Sequence, residues 1–182
     1  MLKVVDNDTI NETNLNRQII ATRNNIGQLK TEAVRERIAD INPDCRVKSI
    51  PEFADATNIK EIIDDSNPDF IVDAIDSVTS KLLIAEHAIG KNIPLISSMG
   101  TGNKLDPERL KIADISKTHT CPLARVMRRE LGLRGIKHLT VLFSDEPPVK
   151  VGSRTPASIS FVPSAAGLII AGHVIREIIS LQ

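Results

Sequence analysis

The sequence predicts an α/β fold built on a doubly wound, mainly parallel sheet, and three observations predict it. Two short apolar runs, from Leu2 to Val5 and from Asp69 to Val72, each end in an acidic cluster, Asp6-Asn7-Asp8 and Asp73-Ala74-Ile75-Asp76. Segments with apolar residues at helical spacing alternate with runs of this kind, which is the βαβ pattern. The length of 182 residues and the 41% hydrophobic content suit one domain with a sizeable core. In such a sheet the ligand sits in the crevice beyond the carboxyl ends of the strands, so the acidic tips are the first candidates for function.

Taken in order, the run from Leu2 to Val5 is the first strand, and its tip delivers Asp6 and Asp8. From about Gly27 to Ile41, Leu29, Ala33, Val34, Ile38 and Ile41 recur at helical spacing, and Asn42-Pro43 closes the segment. This helix carries Lys30 in its first turn, where the helix dipole disfavours a cation and a bound phosphate would compensate. Residues 45–50 alternate as a strand, with Cys45 expected as a small buried hydrophobe, and 58–64 is a short helix. Residues 69–73 read as a buried strand, and 77–91 as a helix with Leu82, Leu83, Ala85, Ala88 and Ile89 inside. A strand follows at 94–97. In the loop Ser98-Met99-Gly100-Thr101-Gly102, two readings of the glycines stand side by side: close approach of backbone to a substrate, or a plain turn. Residues 109–115 form a strand, 123–131 a helix after Cys121-Pro122, 139–143 a strand, and 144–157 a mobile loop with three prolines. A short strand is expected at 159–162. Pro163 then opens a closing helix whose apolar residues, Ala165 through Ile178, surround much of its surface, which predicts burial on more than one side.

Between the first strand and the first helix lie Asn14-Leu15-Asn16-Arg17-Gln18 and Ile26-Gly27-Gln28-Leu29-Lys30. A carboxylate at a strand tip can accept both hydroxyls of a ribose. Arg17 offers a planar fork to phosphate oxygens and Lys30 a compact point charge. Either cation by itself reads equally as a solvated surface charge; their order after an acidic tip is what points to a nucleotide.

Asp6-Asn7-Asp8, Asn14 through Gln18, Gly27 with Lys30, and Asp73-Ala74-Ile75-Asp76 together resemble the adenylation core of the ubiquitin-activating (E1-like) superfamily. Lys117-Thr118, Cys121-Pro122-Leu123-Ala124, Val141-Leu142-Phe143-Ser144 and Ser160 through Gly167 are similar to one branch of it, the tRNA threonylcarbamoyladenosine dehydratases. The resemblance implies a Rossmann-like sheet with a C-terminal strand and helix extension, residues 1–115 forming a nucleotide-binding part and 116–182 a substrate and dimer part of one domain. It implies ATP and magnesium as cofactors, and a nucleotide site drawn from Asp6, Asp8, Asn14, Arg17, Gln18, Lys30, Asp76 and Ser77. Arg17, Lys30 and Asp76 would be catalytic, with Asp76 holding the metal. It further implies a homodimer in which an arginine equivalent to Arg17 reaches the partner's nucleotide. Such enzymes open on a glycine-rich turn upstream of the strand that carries Asp6, and residues 1–182 contain none, so the sheet is expected to be N-terminally truncated.

Arg125, Arg128, Arg129, Arg134 and Lys137 form the concentrated basic stretch of the chain. Solvated helix charge and contact with tRNA phosphates both fit it. Cys121 precedes a helix and has arginines nearby, which favours a thiolate, but an incidental role fits as well. Elsewhere composition narrows the classes. Lysine plus arginine equal aspartate plus glutamate at 23 each, so RNA contact would have to be local. Aromatic residues make up 2%, too few for base stacking to be a main mode of binding. Two cysteines give no disulfide framework and no paired Cys-x-x-Cys ligands, which fits a reducing cytoplasm. No apolar stretch is expected to reach the roughly 20 residues of a membrane helix. Two rivals to the dehydratase remain: an activator of a small ubiquitin-like sulfur carrier, partnered by that carrier or a cysteine desulfurase, and a non-catalytic scaffold with a degenerate nucleotide site.

Overall fold

A computed structural model describes residues 1–150, 152 and 156–180. The chain divides into two compact units, Met1–Asn58 and Ile59–Gln182.

In the first unit, β1 (Leu2–Val5) pairs in parallel with β2 (Val47–Ile50), Leu2 opposite Val47 and Val5 opposite Ile50. The crossover between them is α1 (Lys30–Ile41), which packs on both strands. The helix begins three residues later than its apolar period suggests. Gly27 has φ +91°, a conformation that side chains resist, and its N–H donates to the Ile10 carbonyl at 2.8 Å. Ile10 N–H donates in turn to Gln28 O at 2.8 Å, so residues 27–29 are committed to pairing with 8–10 before the helix starts. Cys45 lies ahead of β2 and is half-buried, so the buried strand position expected for it is corrected.

The second unit opens on α2 (Ile59–Asp64) and contains a four-stranded sheet in the order β3-β4-β6-β5. The strands are β3 (Ile71–Asp73), β4 (Leu95–Ser98), β5 (Leu110–Asp114) and β6 (Thr140–Ser144). β3, β4 and β6 run parallel, and β5 pairs antiparallel with β6. The helices α3 (Val78–Gly90) and α4 (Pro122–Leu133) contact each other. Ile96, Leu110 and Leu142 of the sheet form one core with Val162, Ala166 and Ile170 of α5 (Phe161–Ser180).

The mainly parallel doubly wound expectation holds, and several local ones need correction. β3 is an edge strand with Val72 48% exposed, so it is not buried on both faces. In α3 it is Ile84 that turns inward, whereas Ile89 is exposed. The strand expected at 159–162 does not form: Phe161 and Val162 already belong to α5, because Val162, Ala166 and Ile170, four residues apart, make a stripe that fits the sheet. That stripe is the buried face of α5, while Leu168, Ile175 and Ile179 are exposed. At 20 residues α5 is also long and apolar enough to cross a membrane by length and composition alone, which corrects the count of apolar stretches made from sequence. The loop expected over 144–157 is described to Lys150, at 152 and from Pro156; the remainder lies outside the described residues.

Candidate functional site

The expected site residues fall in both units, and each group has its own geometry. At the tip of β1, Asp6 Oδ1 accepts the Asp8 N–H at 2.8 Å, which curls the chain and turns both carboxylates toward α1. Lys30 N–H donates to the Asp8 carbonyl at 3.0 Å, and its Nζ reaches Asp8 Oδ2 at 2.6 Å and Asp6 Oδ2 at 3.8 Å. The Lys30 side chain is mostly covered, whereas those of Asp6 and Asp8 are 38% and 61% exposed. The lysine is therefore aimed by carboxylates that remain open to solution.

Asn14 is 5% exposed, and its Oδ1 accepts the Asn11 N–H at 3.1 Å. Its carbonyl accepts the N–H groups of Arg17 at 3.1 Å and Gln18 at 2.9 Å. The asparagine is thus the knot of the turn, and it fixes where Arg17 and Gln18 leave the backbone. Arg17 is half-buried and its Nη1 donates to the Thr13 carbonyl at 2.7 Å and to Asn16 Oδ1 at 2.9 Å. The guanidinium is held by its own loop, which fixes its orientation.

In the second unit Asp76 is exposed beyond the tip of β3, and Ser77 caps α3 by accepting the Ser80 N–H on its Oγ at 3.3 Å. Next to them lies a buried network that the sequence reading passed over. Lys81 is fully buried, and its Nζ donates to both Asp73 carboxylate oxygens at 3.0 Å, to Ser97 Oγ at 3.2 Å and to the Ser98 carbonyl at 2.8 Å. Ser97 Oγ donates to Asp73 Oδ2 at 2.6 Å. Burial pushes the Lys81 ammonium below its ordinary range, and the Asp73 charge opposes that shift. The signal was a lysine eight residues after Asp73 within a helix whose neighbours Ser80 and Leu82 face inward.

The loop 98–106 is held by contacts within the chain. A Cβ on Gly102 would lie 2.7 Å from the Pro156 Cβ, so here glycine serves close approach to another loop of the same unit. Lys104 is 3% exposed and donates to the Glu146 carbonyl, whose carboxylate accepts the N–H groups of Leu105 and Asp106 at 3.0 Å. Burial lowers the Lys104 pKa. Cys121 is 3% exposed at the N-terminus of α4, closed to solution.

The basic stretch is divided. Arg128 turns inward, with Nη1 at 2.6 Å from Thr118 Oγ1 and 2.8 Å from the Thr118 carbonyl. Arg129 pairs with Glu130 at 2.6 Å, and Arg134 with Glu86 at 3.1 Å and Glu130 at 3.2 Å. Arg125 and Lys137 are exposed. Among the described residues no three His, Cys, Asp or Glu side chains gather as a metal cage.

A family model described as "ThiF family" matches residues 1–181. The chain is 41% identical over 194 residues to the tRNA threonylcarbamoyladenosine dehydratase of Bacillus subtilis, covering 97% of this chain and 76% of that protein. It is 39% identical over 149 residues to tRNA threonylcarbamoyladenosine dehydratase 2 of Saccharomyces cerevisiae, of whose length the match spans 33%. Among solved structures, Escherichia coli tRNA N6-threonylcarbamoyladenosine dehydratase in complex with AMP superposes with a TM-score of 0.91 at 31% identity, covering 98% of this chain and 75% of that one. The same protein in complex with ATP matches equally, with a TM-score of 0.91.

Proposed function

Because the chain belongs to the ThiF family, we propose that it is an ATP-dependent tRNA threonylcarbamoyladenosine dehydratase. The observation that carries this reading is the likeness over nearly the whole chain to dehydratases of that name, one of them solved with ATP and with AMP. The substrate carboxylate attacks the α-phosphate of ATP; an acyl-adenylate forms and pyrophosphate leaves. A nucleophile within the substrate then displaces AMP and closes the ring. Such a reaction asks the protein chiefly for positioning and for cationic stabilisation of charge.

In this reading Asp6 takes the ribose hydroxyls, while Lys30 and Arg17 take phosphate oxygens. Asp8 aims Lys30, as the 2.6 Å contact allows. Asn14 and Gln18 shape the turn that presents Arg17, and Ser77 fixes the backbone after Asp76. A magnesium ion fits Asp76 as a single exposed carboxylate at a strand tip, since this ion is held by one or two carboxylates together with substrate phosphates. When bound it would neutralise phosphate charge. Residues 1–115 are assigned to nucleotide binding and 116–182 to substrate and dimer contacts. Exposed Arg125 and Lys137, with Arg129 and Arg134, offer tRNA phosphates a surface, and Arg128 is assigned to the fold because its Nη1 is bound at Thr118. A homodimer in the cytoplasm completes the reading.

The test is pyrophosphate release from ATP by this chain. Release that requires threonylcarbamoyladenosine-bearing tRNA is expected. Release driven only by a small ubiquitin-like carrier would replace the reading with the activator, and no nucleotide binding at all would leave the scaffold.

A further inference from the structure

Asp76 is exposed, yet the backbone is held on either side of it. On the N-terminal side, Asp73 Oδ1 accepts the Ile75 N–H at 3.2 Å, and the same oxygen accepts Lys81 Nζ at 3.0 Å. On the C-terminal side, the Lys81 N–H donates to the Ser77 carbonyl at 2.9 Å. Asp73, fixed in place by the Lys81 side chain, thus holds residue 75, and the first main-chain hydrogen bond of α3 holds residue 77, so both neighbours of Asp76 are pinned. Its Nζ also holds the Ser98 carbonyl at 2.8 Å, so the tips of β3 and β4 share one anchor.

A buried ion pair is weak evidence for stability, because well-packed apolar side chains of similar volume often do as well. What the pair supplies and leucines would not is direction. The three ammonium donors of Lys81 are distributed over Asp73, Ser97 and Ser98, and the Asp73 carboxylate spends its remaining acceptor sites on Ile75 and Ser97. We infer that Lys81 is a positioning residue of the nucleotide reaction, holding the turn from Asp73 to Ser77 so that the Asp76 carboxylate is presented in one place. The inference rests on the reading of Asp76 as the magnesium carboxylate. Lys81 is placed to touch neither nucleotide nor ion; its side chain acts through Asp73, Ser97 and the Ser98 carbonyl.

The test is calorimetric binding of a non-hydrolysable ATP analogue to the whole chain across a series of magnesium concentrations, with magnesium-free AMP as the reference ligand. Lys81→Met is expected to raise the magnesium needed for half-maximal analogue binding by about 10- to 100-fold, the usual cost of losing a residue that orients a metal ligand. AMP binding should be unchanged, and Lys81→Arg should recover part of the loss. Ser97→Ala removes one hydroxyl without unpairing a charge and is expected to move the requirement the same way by about fivefold, one hydrogen bond's worth. It decides the matter if Lys81→Met does not fold. A normal magnesium requirement in Lys81→Met, or in Ser97→Ala where the first variant fails to fold, overturns the inference provided Asp76→Ala raises that requirement. If Asp76→Ala leaves it unchanged, the magnesium assignment itself fails and the inference falls with it. An unmodified chain that binds no analogue would remove the nucleotide reading altogether.

Discussion

The tips of β1 and β3 each pair a lysine from the following helix with an aspartate, and the two pairs are built in opposite ways. At β1, Lys30 Nζ lies 2.6 Å from Asp8 Oδ2, and the Asp8 side chain is 61% exposed. At β3, Lys81 lies 3.0 Å from Asp73 Oδ2 with the side chains 0% and 1% exposed. The residue types are the same, and water decides what they can do. A pair in contact with solvent contributes about 0–1 kcal/mol, so an arriving phosphate can displace the carboxylate from Lys30 without disturbing the fold. The buried pair cannot exchange partners, because whichever charge is left behind has nothing to solvate it. One tip leaves its charge open to exchange with solution, and the other locks its charge into the fold.

The sharpest way to break this comparison is through the residues assigned to the ligand. Arg17→Ala and Asp76→Ala should each reduce pyrophosphate release by at least about 100-fold, in keeping with the loss of one preorganised charge at a reacting phosphate. Neither should alter the circular dichroism spectrum, since Asp76 is exposed and the turn at Asn14 is made by backbone bonds. Normal pyrophosphate release from either variant would strike that residue from the site.

Next in size is the buried tip. Asp73→Ala leaves Lys81 buried without its counter-charge, which costs about 3–5 kcal/mol. For a chain of this length that corresponds to a fall in melting temperature of roughly 10 °C. Scanning calorimetry reads it directly, and a loss of only one or two degrees would mean that water reaches Lys81. Lys30→Met is the counterpart at the exposed tip. It should lower ATP affinity about tenfold, as one lost charge-assisted bond implies, and shift the melting temperature by no more than about 2 °C. The opposite pattern, a large thermal shift with normal affinity, would invert the roles assigned to the two tips.

How far the sequence foretold these tips follows from how local each determinant is. The strand at Leu2–Val5, the acidic turn after it, and a helix beginning near Ser77 were all legible, because hydrophobic period acts within a few residues. The set proposed for the nucleotide, Asp6, Arg17, Lys30 and Asp76, was read from its order along the chain, and within it the structure brings Lys30 to Asp6, and to neighbouring Asp8. Lys81 was not legible, since its meaning depends on Asp73 and Ser97, which other elements bring to it from eight and 16 residues away. Arg128 failed for the same reason: ten residues separate it from Thr118, and only the packing of α4 shows that its charge points inward. The turn into α5 was misread because β-branched and aromatic residues around 159–162 suggest a strand locally, while the stripe that decides the matter runs on to Ile170.

A third acid–base cluster lies between the two extremes and gives the smallest effect. Asp145, just beyond β6, accepts from Lys111 and from Arg109 Nε, the latter at 2.7 Å, and these partners, Lys111 foremost, hold its carboxyl down to about 2. In the unfolded chain the same carboxyl titrates near 3.8. The folded form therefore binds this proton less readily, and the stabilisation is complete above about pH 4 and is lost as the pH falls toward 2. The cations are 44% and 54% exposed, so salt should weaken the effect. Asp145→Asn should lower the urea midpoint at neutral pH slightly and flatten its decline between about pH 4 and 2. If the decline in that window is as steep in the variant as in the unmodified chain, other carboxylates carry the acid response.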